Sequence, residues 1–469
     1  MSPYARCARS AAVAAVLSAL AACSDGVVTT DSVQPRTPSG AALTGIPCTA
    51  NVRTGTVTCS GSPGDAVARG ARANRIIGGQ RVYVLVQSGN VQYDSVAQVL
   101  STDVTVQNLL VQRMGSDGAA VTGVKVFFAS GPVTTAGTGE VTVANPDGYG
   151  LFTASSQPYF SYDGALAPQA VSAARRWEFS VPTSVVTFAF TLYVETPLVP
   201  TIVFDMAVSG NRDVYRMGID GNDLVKLTTG ALSDAMPTVA QGTVVFVSYR
   251  DGNPELYSVP LKGGAETRLT TTTTRNETSP ALSPDGRRLA WVIPGAGGNT
   301  KVWAGNANAT SGTAAVSPAD ADGIESSPNW ADSTRLAFGA ASASSSDIYG
   351  LTLNGTPPLA GGVPTLLAGG ERAEVEPAWS PDGTKVAFAS NRTGDTELYI
   401  LTVSTGAVTR VTTRAGSDAT PSWLKDGRIV YSCIQGAQFR LCVVDPANPA
   451  GASIIPTPFQ AQHAAAVRF

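Results

Sequence analysis

Five prolines recur through the second half of the chain, at positions 237, 280, 328, 377 and 421, each inside a similar segment. Ser279-Pro280-Ala281-Leu282-Ser283-Pro284-Asp285-Gly286 matches Glu376-Pro377-Ala378-Trp379-Ser380-Pro381-Asp382-Gly383. Ser327-Pro328-Asn329-Trp330 and Thr420-Pro421-Ser422-Trp423-Leu424-Lys425-Asp426-Gly427 repeat the theme, and Met236-Pro237-Thr238-Val239 is a degenerate copy. The spacings are 43, 48, 49 and 44 residues. A period of this length means a propeller or a solenoid, in which each unit has apolar faces that only a neighbouring unit can cover.

The content of each unit selects the propeller. After the proline segment comes a turn, Pro-Asp-Gly where complete, which is ordinary type I turn chemistry. An alternating strand follows: Val244–Val247, Leu289–Val292, Leu336–Phe338, Val386–Ala389 and Ile429–Ser432. Next is an acidic-aliphatic-aromatic triplet: Asp213-Val214-Tyr215, Glu255-Leu256-Tyr257, Asp347-Ile348-Tyr349 and Glu397-Leu398-Tyr399, with Lys301-Val302-Trp303 and Arg440-Leu441-Cys442 as variants. A Thr-rich strand closes the unit. Four short strands per repeat is the plan of a propeller blade. Trp330, Trp379 and Trp423 recur in the first strand and are expected to pack blade against blade.

The segments SPALSPDGRRLAW, EPAWSPDGTKVAFASNRTGDTELY and VSYRDGNPELY resemble the repeats of TolB-type, WD-like β-propellers. Six triplets against five proline strands predict six blades, the first beginning at Ile202-Val203-Phe204 without its innermost strand. One more period beyond Pro421 reaches His463-Ala464-Ala465-Ala466-Val467-Arg468-Phe469. This tail is expected to enter the first blade and close the ring, which leaves no open edge. The fold class is thus all-β: a six-bladed propeller over residues 201–469, closed by the C-terminal strand.

Residues 44–198 read as a separate β-sandwich, immunoglobulin-like by analogy of fold alone. Arg81–Val86, parts of Val104–Val111, Gly123–Phe128, Val141–Val143, Arg176–Val181 and Val185–Val194 have strand character. Glu195-Thr196-Pro197-Leu198-Val199-Pro200 is a stiff boundary. Ahead of the sandwich, Arg6 and Arg9 precede an apolar run from Ala11 to Ala22, too short to span a bilayer at about 20 residues but suited to an export signal. Leu20-Ala21-Ala22-Cys23 resembles the bacterial lipobox. Residues 1–22 then read as a lipoprotein signal peptide, Cys23 as the lipidated residue and 23–43 as a flexible tether. Ser24 after the cysteine leans towards the outer membrane, and Asp25 weakens that lean.

Two local cysteine pairs fit export. Cys48 and Cys59 flank a hairpin turning at Arg53-Thr54-Gly55, and Cys433 and Cys442 flank one turning near Gly436. Facing residues on antiparallel strands lie within disulfide reach, so two cross-strand disulfides are expected. Charge and histidine content exclude much else. With 32 basic and 35 acidic residues there is no surplus to neutralise phosphates, so no nucleic-acid partner is expected. A single histidine, His463, rules out a His-rich zinc site within one chain.

An acidic residue stands three before each repeat proline: Asp234, Glu277, Glu325, Glu374 and Asp418. His463 takes the sixth place if Ala466 matches the proline. Resemblance to known propellers places this position where one blade crosses to the next, around one mouth of the central channel. Five carboxylates there are the chemistry of a ligand rim, taking a cationic peptide group or a cation; oxygen ligands favour calcium. The alternative is that each carboxylate accepts backbone N–H bonds in its own crossover turn. No resident cofactor or metal is expected otherwise; Asp320-Ala321-Asp322-Gly323-Ile324-Glu325 only faintly resembles a calcium loop.

The resemblance implies envelope maintenance through protein partners; together with the lipobox, by which this chain departs from the soluble TolB-type proteins, it reads as a non-enzymatic, monomeric, lipid-anchored envelope scaffold that holds a protein or polymer partner. A surface adhesive or structural lipoprotein is one alternative. A hydrolase or lyase with a carboxylate site in the channel is another, although related peptidases carry an α/β-hydrolase domain after the propeller and related lyases use several histidines. TolB-type proteins also carry an α/β domain where this chain has a β-rich one.

Overall fold

The structure, a computed structural model, describes residues 45–61 and 74–467 except 296–297, 310–311, 318–322, 342–344, 356–359 and 371. The expected leader, Cys23 and tether lie outside the described residues, as do residues 318–322 of the faint calcium-loop segment.

Every regular element among the described residues is a β-strand apart from a short 3₁₀ turn, as the Gly, Pro, Val and Thr content leads one to expect. From Ile46 to Pro197 the chain forms two antiparallel sheets over one core. Phe128, Phe160, Trp177, Phe179, Phe188 and Phe190 fill it, with Phe160 and Trp177 stacked at 4.5 Å. One early strand starts later than its sequence suggests. Arg81 has φ 65°, and residues 81–83 form a turn before the strand Val84–Asp94. The long strand Val185–Pro197 carries the chain straight to the boundary. There Leu198 bridges to Met114, and the Val199 N–H donates to Arg113 O at 3.0 Å.

From Thr201 onwards the strands fall into six antiparallel groups of four, one of them with an added short strand. Blades three and four are joined at one parallel bridge, Thr300↔Ile324. The innermost strands touch in sequence: Asp234–Ala240, Thr278–Leu282, Ile324–Trp330, Glu374–Trp379, Asp418–Trp423, Ala461–Ala466, and back to the first. That cycle is a closed ring of six blades. The tail strand Ala461–Ala466 pairs antiparallel with Thr201–Val208, so blade one combines both ends of the ring.

The triplets tie the strands within each blade. Their aromatic residue lies opposite an aromatic residue on the second strand in five blades: Trp291↔Trp303 and four Phe–Tyr pairs, Phe204↔Tyr215, Phe246↔Tyr257, Phe338↔Tyr349 and Phe388↔Tyr399. Ring centroids in the four Phe–Tyr pairs are 5.9–6.1 Å apart, a packing cross-strand pair. The tryptophans do as expected and stitch neighbouring blades. Trp330 Nε1 donates to Ala281 O of the preceding blade, and Trp423 Nε1 to Ala378 O, both at 2.9 Å.

Both disulfides are present. Cys48 lies directly opposite Cys59. The second pair differs from the facing arrangement: Cys433 faces Arg440 and Cys442 faces Tyr431, so that bridge runs diagonally with a Cα separation of 5.9 Å.

The sandwich docks on the ring through the loop after its strand Val99–Asn108. Arg113 forms a bidentate pair with Asp223 of blade one, the closer contact at 2.8 Å. Arg216, also of blade one, donates to Val111 O at 3.3 Å. Arg428 of blade six donates to Asp117 O at 3.2 Å. The sandwich therefore straddles blades one and six.

Candidate binding channel

Each innermost strand carries a β-bulge. The register shifts between Ala235 and Thr238, Thr278 and Ala281, Ser326 and Asn329, Val375 and Ala378, and Ala419 and Ser422. The first blade has the same irregularity between Val203 and Asp205 on the strand facing the tail. In five blades the repeat proline fits the defect: it has no N–H for the ladder, and a bulge is where a strand tolerates that; the tail makes the same bulge at Ala464 without a proline.

At every bulge one residue is forced into positive φ: Met236, Ser279, Ser327, Glu376, Thr420 and His463, all between 48° and 56°. None is glycine. Each such conformation costs about 1 kcal/mol or more, and Thr420 is β-branched as well. A bulge re-aims a side chain. These six residues and the residue after each line a single axial cavity of about 220 Å³.

This geometry corrects the expected rim. Asp234, Glu277, Glu325, Glu374 and Asp418 are at most 2% exposed and do not line the channel. Residues two apart on a regular strand share a face; the extra residue of the bulge breaks that rule, turning the acid into the blade and the residue before the proline to the axis. Most of the acids meet side chains rather than their own turn. Asp234 binds Arg250 at 3.0 Å, Glu277 accepts from Thr272 Oγ1 at 3.0 Å, and Glu374 accepts from Ser390 Oγ at 2.8 Å and Arg392 at 3.1 Å. Glu325 accepts the Val302 N–H at 2.9 Å and binds Ser317 and Lys301. Asp418 is pushed up to about 6 by burial, opposed by Thr412 and reinforced by the Glu397 carboxylate.

His463 is corrected in register. Its φ of 51° aligns it with Met236 and Thr420, so Ala464, not Ala466, matches the proline, and buried Ala461 stands at the acid position. The sixth step is then 43 residues, from Pro421 to Ala464. His463 does reach the channel, but from this other place. Its Nδ1 lies 2.7 Å from Oδ1 of Asp205, a fully buried carboxylate on the first propeller strand. Asp205 also accepts the Met236 N–H at 3.2 Å and binds the Arg212 guanidinium. Burial works against the charge on His463, but the bond to Asp205 and the charges of Asp205 and Glu376 outweigh it and raise the imidazole above its usual value.

Glu376 is the ring's other ionisable side chain. Burial pushes its carboxyl up, against the Thr420 N–H bond at 2.6 Å and the charge of His463. The remaining ring positions are two serines, a threonine and a methionine. Of the six ring amides, Met236, Thr420 and His463 are capped by side-chain acceptors, Asp205, Glu376 and Ser432. Among the described residues no group of three or more His, Cys, Asp or Glu side chains is arranged to hold a metal ion.

Sequence reasoning picked the repeated acid and missed the varied residue before the proline, along with Asp205. A signal for both was present. The position before the proline changes chemistry from blade to blade, from methionine to serine, glutamate and threonine, and Asp205 is an acid in the otherwise apolar run Ile202–Val208.

Residues 277–459 match the family described as the TolB beta propeller domain. The ring is a TolB-type β-propeller. A protein TolB homolog from Chlorobium luteolum is 33% identical over 184 residues, covering 39% of this chain and 38% of that protein. An uncharacterized peptidase, YuxL, from Bacillus subtilis is 37% identical over 62 residues, 13% of this chain and 9% of its own length. Among solved structures, TolB from Acinetobacter baumannii superposes with a TM-score of 0.49 at 17% identity, covering 57% of this chain and 67% of that one. The chain thus spans less than half the length of these two curated relatives.

Proposed function

We propose that the chain is a non-enzymatic envelope scaffold, exported and held to a membrane by a lipid on Cys23, whose propeller channel receives a protein or polymer partner. The single observation that carries this reading is the set of six strained, non-glycine residues aimed at one cavity. Strain repeated in every blade at a position of varied chemistry is the signature of a recognition surface more than of a packing device. The name of the Chlorobium relative, a TolB homolog, favours the scaffold reading over catalysis. The inward turn of the five repeat carboxylates supports it too, since a glycosidase-like site needs two carboxylates across the substrate. The two disulfides support export to an oxidising compartment.

The test is site-specific photocrosslinking in cells. A photoreactive residue at Ser327, in the channel, is expected to capture one envelope component. The same probe at Val363, 87% exposed and away from the channel lining, is the control. Equal capture from both sites, or none from Ser327, would sink the channel reading.

A further inference from the structure

The ring is held shut at one place by an ionisable pair. His463 sits on the closing strand, Asp205 on the strand it closes against, and their side chains meet at 2.7 Å across the join. Asp205 is fully buried, so the imidazole is what links it to the far end of the chain. We infer that this pair is a proton-dependent clasp: with His463 protonated the last strand is tied to the first by a charge-assisted bond, and with His463 neutral the tie is weaker.

The groups around His463 decide the direction. Blade one presents Asp205 and, behind it, the Arg212 guanidinium. Blade five presents Glu376. Blade six presents only hydroxyls, with Ser432 Oγ accepting the His463 N–H at 3.2 Å and bonded in turn to Thr420. Blade two presents Met236, whose N–H shares Asp205 Oδ1. Two carboxylates against one guanidinium favour the imidazolium, and charge-assisted bonds are roughly twice as strong as neutral ones. A histidine raised in the folded state contributes its full stabilisation below its unfolded value, about 6.5, and loses it as pH rises through the folded value. The clasp is therefore firm in mild acid and slack in alkali, and the channel loses one positive charge as it slackens. None of this depends on the channel having a partner.

The chain's single histidine makes the test direct. NMR titration of the imidazole in the full chain is expected to give a midpoint above about 6.5. Hydrogen exchange at Ala461–Ala466, referenced to the strand Lys385–Thr393 in the same sample so that the intrinsic pH effect cancels, is expected to accelerate through that midpoint. In His463→Asn, which keeps a neutral donor and a residue tolerant of positive φ, the referenced exchange is expected to be flat with pH. The gap in thermal midpoint between wild type and variant is expected to narrow by more than half between about pH 5.5 and about pH 8.5. A midpoint at or below the free value, or referenced exchange in wild type that does not change with pH, overturns the clasp even if the Asn variant fails to fold.

Discussion

Deleting Ala464–Phe469 removes the part of the closing strand that follows His463, and the structure sets the size of the effect. Ala464, Ala466 and Val467 are buried, and losing their burial costs about 3–4 kcal/mol. The ladder to Ile202 and Val203 is lost with them. So are the bonds from the Val467 N–H to Thr201 O and from the Ala466 N–H to Ser422 Oγ, both at 3.0 Å. At about 1 kcal/mol per bond, these contribute roughly another 4 kcal/mol. The sum is comparable to the 5–15 kcal/mol that holds a typical domain folded. At roughly 2–4 °C per kcal/mol for a unit of this size, the propeller should melt at least about 15 °C lower or fail to fold cooperatively. Scanning calorimetry of the full and truncated chains measures this. A synthetic peptide spanning residues 460–469 is expected to recover part of the loss. An unchanged propeller transition would refute closure by the tail.

Trp423→Phe leaves Ala378 O without its donor and opens a small cavity, so a loss of about 2–4 kcal/mol is expected in urea unfolding; a loss below 0.5 kcal/mol would mean the stitch is idle. Asp418, raised to about 6 when folded, binds more protons folded than unfolded between its two values. Stability should therefore fall by about 3 kcal/mol as pH rises from about 4 to about 6 and then level off, while Asp418→Asn shows no such fall. Ser327→Arg, which fills the channel, is expected to abolish capture of the envelope component while the thermal midpoint moves by only a few degrees. Arg113→Ala together with Arg428→Ala is expected to separate the sandwich and propeller transitions in calorimetry, since these side chains make the polar contacts from Arg113 to Asp223 and from Arg428 to Asp117.

The ring was legible because its signals are local and repeated. Proline spacing, Pro-Asp-Gly turns and acid-aliphatic-aromatic triplets each reflect one strand or turn, and their repeated copies reinforce one another. The tail's entry into blade one followed from counting alone. What sequence did not reveal was which way side chains point at the proline. Alternation by two is a reliable guide only where the strand is regular, and the bulge at Met236, Ser279, Ser327, Glu376 and Thr420 reverses it. The same one-residue ambiguity hid the register of His463, because the tail has alanine where the other strands have proline. Asp205 was out of reach for another reason: its partner is 258 positions away along the chain.

The docking of the sandwich has a mechanical consequence. Its loop grips Asp223 on one side of the ring's join and Arg428 on the other. Tension arriving through the N-terminal domain is divided between the first and last sectors of the toroid. Such a pull shears the two neighbours together instead of peeling the final strand away. The join of the wheel is thus spanned by the very part that would bear the load.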